Sequence, residues 1–298
     1  MIDGHTKLVG LIGWPVEHSL SPAMHNAAFD ALGLNWRYLP LPTPPGQVET
    51  AVRGLAALGF VGTNVTVPHK QTVFSMLAGA CGTTATGLGA VNTICTVQEQ
   101  DGTPAISGYN TDSLGFVGAL RQGGFEPEDG GDVIVVGAGG SARAIVFGLR
   151  GAGVDQIVVL NRTLERAQTL VADLGILSQC TAHLHALPLT PETLVESART
   201  ADLLVHTTTI GMWPHVDGCV WPDGVSVPSH LTVFDLVYNP LETRLLRQTR
   251  RSGARAIDGL GMLVRQGALS FDMWTNKGFI LDEIAGPMRA ACEEMLDR

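Results

Sequence analysis

Short apolar runs rich in β-branched residues recur along the chain: Leu8-Val9-Gly10-Leu11-Ile12, Asp132-Val133-Ile134-Val135-Val136, Gln156-Ile157-Val158-Val159-Leu160 and Asp202-Leu203-Leu204-Val205. Apolar residues at successive positions imply that both faces are covered, which predicts buried strands of a parallel sheet. Between these runs lie Ala-, Leu- and Arg-rich stretches of helical length, including residues 141–151 and 163–174. The alternation predicts an α/β protein.

Residues 112–122 read as a helix bridging two units, and the turn-rich break Gly123-Gly124-Phe125-Glu126-Pro127-Glu128-Asp129-Gly130-Gly131 precedes the strongest strand signal. A junction is therefore expected near Asp112. Residues 262–297 have helical character with no strand left there to cover, so they are expected to return to the first unit. At 298 residues the chain exceeds the size at which a single core stops growing. The expected division is 1–111 with 258–298 in one α/β domain and 112–257 in a second, with no internal repeat.

Hydrophobic residues make up 45% and charged residues 16%, the balance of an ordered globular protein. The net charge of −9 disfavours nucleic acid and anionic lipid as partners, so an anionic metabolite would need local donors. Five cysteines, Cys81, Cys95, Cys180, Cys219 and Cys292, are widely spaced without a C-x-x-C pair and read as reduced, packed thiols. The amino terminus lacks a basic region ahead of a long apolar stretch, and residues 8–14 are too few to span a bilayer. A cytoplasmic location without membrane attachment is the expectation.

Gly137-Ala138-Gly139-Gly140-Ser141-Ala142 follows a predicted strand and opens a predicted helix, matching the G-x-G-x-x-A dinucleotide fingerprint in its required context. Gly137 permits the tight turn, Gly139 lets backbone approach a pyrophosphate, and Ala142 allows close helix–strand packing. The next strand ends at Asn161-Arg162-Thr163-Leu164-Glu165-Arg166, about twenty residues on, where an NAD enzyme places an acid on the ribose hydroxyls. Here Arg162 and Arg166 suit a 2′-phosphate, with Asn161 and Thr163 adding hydrogen bonds, which favours NADP. In the plainer account Thr163 is a helix N-cap and Arg166 a solvated helix residue.

Two further segments pair an amine with a carboxylate: Gly62-Thr63-Asn64-Val65-Thr66-Val67-Pro68-His69-Lys70 and Gly108-Tyr109-Asn110-Thr111-Asp112. A hydride can leave a secondary alcohol carbon only if the hydroxyl proton is also managed, so Lys70 and Asp112 are the catalytic candidates. His18, His25 and His69 rank below Lys70, because each can pack or hydrogen-bond beside the motif without titrating. Asp112 could instead cap a helix beginning at Ser113. Ser19 and Ser21 put two hydroxyls near a predicted helix start and suit a carboxylate. Ser21 with Pro22 also reads as an N-cap and N1 pair, which leaves Ser19 without a capping role. No histidine, cysteine or acid has metal-ligand spacing, so no metal is expected.

Taken together, these stretches resemble the shikimate dehydrogenase family. The likeness runs through residues 13–26, residues 64–70, Gly89-Ala90-Val91-Asn92-Thr93, Asn110-Thr111-Asp112, the glycine fingerprint, Asn161-Arg162-Thr163, Gly211-Met212 and residues 259–266. It implies an amino-terminal substrate domain, a Rossmann-type doubly wound NADP domain and carboxy-terminal helices packing back on the first. It implies that Ser19 and Ser21, helped by Tyr238, bind the substrate carboxylate. Asn64, Thr66, Asn92, Asp112 and Gln266 would bind the ring hydroxyls. Lys70 and Asp112 would be the catalytic pair. Gly137 to Ala142, Asn161, Arg162, Thr163, Arg166, Thr208, Gly211, Met212 and Gly259 would line the cofactor. The implied reaction is reversible, NADPH-dependent reduction of 3-dehydroshikimate to shikimate in aromatic amino-acid precursor biosynthesis, with Lys70 stabilising or protonating the developing oxyanion. A monomer or homodimer is expected.

One loop departs from the family pattern, which has Asn-Ala-Thr where this chain has His206-Thr207-Thr208. His206 and Thr207 are larger or differently polar, which bears on cofactor positioning. A quinate/shikimate dehydrogenase using NAD or either cofactor is the nearest alternative, and a catalytically silent metabolite sensor of the same fold is a more distant one.

Overall fold

The computed structural model describes residues 2–99, 103–176 and 182–297. Cys180 lies outside the described residues. The chain separates into two compact units, one of residues 1–111 and 264–298, the other of residues 112–263.

The first unit begins with β1 (Lys7–Gly13), α1 (Ser21–Ala31), β2 (Trp36–Pro42), α2 (Val48–Ala57) and β3 (Gly62–Val65). It continues through α3 (Lys70–Met76), α4 (Thr83–Leu88), β4 (Thr93–Gln98) and β5 (Pro104–Tyr109). The strands lie in the order β2-β1-β3-β4-β5. β1 is parallel to β2 and β3, as its continuous apolar run predicts, and Val9, Leu11 and Ile12 are buried. β4, however, is antiparallel to both β3 and β5, so this sheet is mixed. The connection from Gln98 to Pro104 is short, whereas a parallel return requires a crossover of about a dozen residues.

Ile12, Val48, Val52, Val65, Val73 and Ile94 form one apolar cluster of this unit. A second cluster is aromatic: Phe29 stacks on Trp36 at 5.5 Å and on Phe271 at 4.7 Å between ring centroids. Full burial of one such side chain contributes roughly 1.5–3 kcal/mol.

The second unit opens with α5 (Asp112–Gln122), followed by a single 3-10 turn at Pro127–Asp129 within the glycine-rich break. β6 (Asp132–Val136), α6 (Gly140–Ala152), β7 (Gln156–Asn161), α7 (Leu164–Gly175), β8 (His183–Pro188) and α8 (Pro191–Ser197) come next. β9 (Leu203–His206), β10 (Thr232–Asp235), α9 (Arg244–Arg251) and β11 (Arg255–Ile257) complete the sheet. All neighbouring strands are parallel, in the order β11-β10-β9-β6-β7-β8. This is the doubly wound Rossmann arrangement, and the order reverses between β6 and β9, where such sheets leave a crevice beyond the strand ends.

The helical character expected from residue 262 onward belongs to α10 (Leu260–Thr275) and α11 (Leu281–Leu296). The change of unit falls inside α10, and α11 packs against α1. No helix among the described residues is long and apolar enough to cross a membrane.

Candidate functional site

In the second unit the glycine turn sits at the switch point. Gly137 follows β6 with φ +116°, in the region that favours glycine, and a Cβ there would lie 2.4 Å from Thr207 Oγ1. Gly139 is the N-cap of α6 and no side chain caps that helix, so its first backbone N–H groups remain available to an anion. Gly139, Gly140 and Ser141 are exposed, and open space lies where a Cβ would project from either glycine. Ala142 is fully buried against the core. Ala138 packs beside it, half-buried. The donor set and the open backbone fit a dinucleotide pyrophosphate.

At the end of β7, Asn161 Nδ2 donates to the Thr163 carbonyl at 2.8 Å and so shapes the turn into α7. Thr163 occupies the N-cap position without a side-chain capping bond, so capping does not consume its hydroxyl. Arg162 and Arg166 are exposed, and no acid stands at the strand end itself. This arrangement suits a ribose 2′-phosphate.

The loop after β9 borders the same switch point. Thr207 is half-buried; its backbone N–H and its hydroxyl both donate to the Val136 carbonyl, at 2.9 and 2.8 Å. Thr208 is also half-buried, Gly211 is buried with φ +84°, and Met212 and Trp213 are exposed. Gly259 is buried, and a Cβ there would lie 2.2 Å from the Leu236 carbonyl oxygen, so close backbone approach by itself demands glycine. Tyr238 is half-buried in the loop after β10.

In the first unit a buried amide network gathers three of the expected residues. Asn64, on β3, accepts from the Tyr38 hydroxyl at 2.9 Å. Its Nδ2 lies 3.0 Å from Ser270 Oγ, 3.1 Å from the Asn92 carbonyl and 3.2 Å from Thr93 Oγ1. Asn92 Nδ2 donates to Thr111 Oγ1 at 2.9 Å and to Gln266 Oε1 at 3.4 Å, while its Oδ1 accepts from the Thr111 N–H at 2.9 Å. Gln266 is half-buried and held toward this network. Buried amides with satisfied partners have fixed orientation, which is what recognition of a polyol requires.

Thr66 is half-buried after β3, its N–H bonded to the Ile12 carbonyl at 2.8 Å. Lys70 is the half-buried first residue of α3, and its carbonyl accepts from the Val91 N–H at 3.0 Å. Thr111 closes the first unit within the amide network, and Asp112 comes next in the chain as the half-buried first residue of α5. Helix α5 thus begins at Asp112 rather than at Ser113.

The two serines exchange the roles expected of them. Leu20, not Ser21, is the N-cap of α1, and Ser21 lies inside the first turn, buried, with Pro22 following. Ser19 Oγ accepts from the Ser21 N–H at 3.2 Å, so Ser19 does have a capping role. The cause is the αR conformation of Leu20, which moves the side-chain acceptor one residue earlier.

Burial separates the histidines. His69 is buried with Nε2 2.7 Å from the Thr43 carbonyl. His25 is fully buried, stacks on Tyr38 at 4.3 Å, and has no hydrogen bond to either ring nitrogen among the described residues. Desolvation lowers its pKa to about 3. Burial likewise raises that of Tyr38 and pushes the Cys95 and Cys292 thiols up to about 12, so these thiols are inert.

Tyr38, Ser270 and the pair His206–Asp235 escape sequence reasoning. Ser270 had a usable signal, because it stands four residues after Gln266 on one helix and therefore on the same face. Asp235 had none, as its link to His206 crosses from β10 to β9.

A six-stranded Rossmann sheet with an open glycine turn at its switch point defines a dinucleotide-binding α/β protein, here joined to a second α/β unit that holds a buried amide network. Three family models match the chain: the shikimate dehydrogenase substrate binding domain over residues 11–94, shikimate / quinate 5-dehydrogenase over residues 120–209, and the shikimate 5′-dehydrogenase C-terminal domain over residues 259–277. A shikimate dehydrogenase (NADP(+)) of Methanopyrus kandleri is 45% identical over 93% of this chain and 92% of its own length. The shikimate 5-dehydrogenase of Listeria monocytogenes, solved with shikimate and NAD, superposes with a TM-score of 0.85 at 33% identity, covering 95% of this chain and 96% of that one. The Thermus thermophilus enzyme, solved with NADP(H) and shikimate, gives 0.81 at 35% identity, covering 96% and 100%. The chain belongs to the shikimate dehydrogenase family.

Proposed function

We propose that this protein is an NADP-dependent shikimate dehydrogenase, reversibly reducing 3-dehydroshikimate to shikimate on the route to aromatic amino acids. The observation that carries the cofactor choice is the end of β7, where Asn161, Arg162 and Thr163 stand in place of the acid that would repel a 2′-phosphate. Relatives named as NADP(+) enzymes support the same choice.

Bound NADPH supplies the hydride for the ketone carbon. The remaining work falls to the chain's own residues. The first N–H groups of α6, reached past Gly139 and Gly140, hold the pyrophosphate, and Arg162 and Arg166 hold the 2′-phosphate. Gly211, Met212 and Gly259 shape the wall near the nicotinamide. Ser19 and Ser21, with Tyr238, take the substrate carboxylate. Asn64, Thr66, Asn92 and Gln266 bind the ring hydroxyls, their amides pre-oriented by Tyr38, Thr111 and Ser270. Lys70 and Asp112 share the handling of the hydroxyl proton, with the Lys70 ammonium stabilising negative charge as it develops on oxygen. On this reading residues 1–111 and 258–298 form the substrate domain and residues 112–257 the NADP domain. The net charge of −9 disfavours a nucleic-acid partner, and the reading extends to a cytoplasmic enzyme that acts as a monomer or homodimer.

The test is an assay of purified protein for NADP reduction by shikimate, with quinate and NAD run alongside. Shikimate with NADP is expected to give the highest kcat/KM. A preference for quinate with NAD, or no turnover of any pair, would reject the proposal.

A further inference from the structure

The segment Ala90-Val91-Asn92, between α4 and β4, is bonded to both stretches that carry the proposed catalytic pair. α4 ends on Gly89 at φ +64°, and the Gly89 and Ala90 N–H groups donate back to the Thr86 and Ala85 carbonyls at 3.3 and 3.2 Å, a Schellman ending that fixes the course of the chain into Ala90. On one side the Val91 N–H donates to the Lys70 carbonyl at 3.0 Å. On the other, the Asn92 N–H donates to the Tyr109 carbonyl at 3.0 Å, Asn110 Nδ2 donates to the Ala90 carbonyl at 2.9 Å, and the Thr111 N–H donates to Asn92 Oδ1 at 2.9 Å. Val91, Asn92, Asn110 and Thr111 are all buried. The Ala90 carbonyl can only accept, so the Asn110 amide has one orientation toward it, and none of these bonds depends on a titrating group.

We infer that Asn110 is a positioning residue: by tying Ala90, it locks the backbone of Lys70 and the peptide that leads into Asp112 into one frame. This rests on the reading of Lys70 and Asp112 as the catalytic pair. Thr111 directly precedes Asp112, so the direction in which the chain enters Asp112 follows from the bonds at Asn110 and Thr111. A displacement of about 1 Å at a reacting group can cost about a hundredfold in rate, while groups that bind elsewhere on either ligand keep their contacts. Of the bonds that join 90–92 to Lys70 and to 109–111, those made by Asn110 and Asn92 use a side chain. Asn92 is already placed on a ring hydroxyl, whereas Asn110 can be truncated without removing a group assigned to substrate, cofactor or proton.

The test assays wild-type protein, Asn110→Ala, Lys70→Ala and the double variant for oxidation of shikimate by NADP, with NADP affinity read by fluorescence titration. Asn110→Ala is expected to lower kcat about 10- to 100-fold, while the KM for shikimate and the dissociation constant for NADP stay within about threefold. In the Lys70→Ala background the same substitution should change kcat by less than about twofold, because a pair that acts as a unit has already lost one member. A residue that merely supported the fold would lower turnover by the same factor in both backgrounds. Normal kcat in Asn110→Ala, a raised KM for shikimate with kcat unchanged, or an equal factor in both backgrounds would each overturn the assignment. Should Asn110→Ala fail to fold, Asn110→Ser decides in the same way, since its side chain ends one bond short of the amide nitrogen that reaches Ala90. Near-normal kcat in Lys70→Ala would remove the catalytic pair and this inference with it, and wild-type protein that leaves shikimate unoxidised would reject the proposed reaction itself and leave no pair to position.

Discussion

His25 carries an ionisable ring into fully buried surroundings that offer it no hydrogen-bond partner among the described residues. Tyr38 stacks on it, and Phe29, Phe271 and Trp274 lie within 6.5 Å between ring centroids. With its pKa lowered from 6.5 to about 3, the folded protein keeps His25 neutral while the unfolded chain protonates it below about pH 6.5. The unfolded state then binds the extra proton, so stability falls as pH drops from 6.5 toward 3 and is indifferent to this group above that window. At pH 5 the loss from His25 is about 2 kcal/mol. Urea unfolding at pH 7.5 and pH 5 checks this: His25→Leu should lose less stability between the two than wild type, and equal losses would rule out the histidine. Lys70 is expected to matter to chemistry rather than to cofactor binding. Lys70→Ala should lower kcat by about 10²–10⁴-fold with little change in NADP affinity, read by steady-state kinetics and a fluorescence titration. The family resemblance made Asn64, Asn92 and Gln266 visible in the sequence, and the structure joins them in one network. Tyr38 was hidden because its bond to Asn64 spans 26 residues of sequence; Ser270 shares a helix face with Gln266, but its bond to Asn64, 206 residues away, was not readable.

Elements were legible where burial on both faces produced continuous apolar runs. β1, β6, β7 and β9 belong to this class, and the helices α5, α6 and α7 between or beside them follow from strand–helix alternation. β4 and β5 were less legible, because β5 is an edge strand whose residues are mostly half-buried or exposed, so the apolar run that marks a parallel strand is missing. The turn from β7 into α7 supports a prediction at this scale. On the proposed reading, cofactor selectivity comes from a short segment that presents Arg162 and Arg166 without a strand-end acid. Replacing both arginines by alanine should raise the KM for NADP about tenfold or more and leave the KM for NAD nearly unchanged, since NAD lacks the phosphate they would hold. Equal effects on both cofactors would place the arginines outside 2′-phosphate recognition.

At the scale of the whole molecule, the glycine turn and the end of β7 lie in one compact unit and the buried amide network in the other, and α10 belongs partly to each. The helical character of the carboxy-terminal segment was readable from composition, but its bonding was not: the links from Ser270 to Asn64 and from Gln266 to Asn92 depend on three-dimensional closure. This division predicts where each ligand will slow amide hydrogen exchange. A ligand that binds only the folded state stabilises it by about 2.7 kcal/mol at a hundred times its dissociation constant, and local openings that break its contacts are suppressed most. Saturating NADP alone should therefore protect peptides spanning residues 137–143, 160–166 and 206–212. Shikimate alone should protect those spanning 62–70, 90–93 and 264–270, where the amide network and α3 begin. Protection by shikimate confined to the second unit, or by NADP confined to the first, would reverse the assignment of ligands to units even if the enzyme proved active.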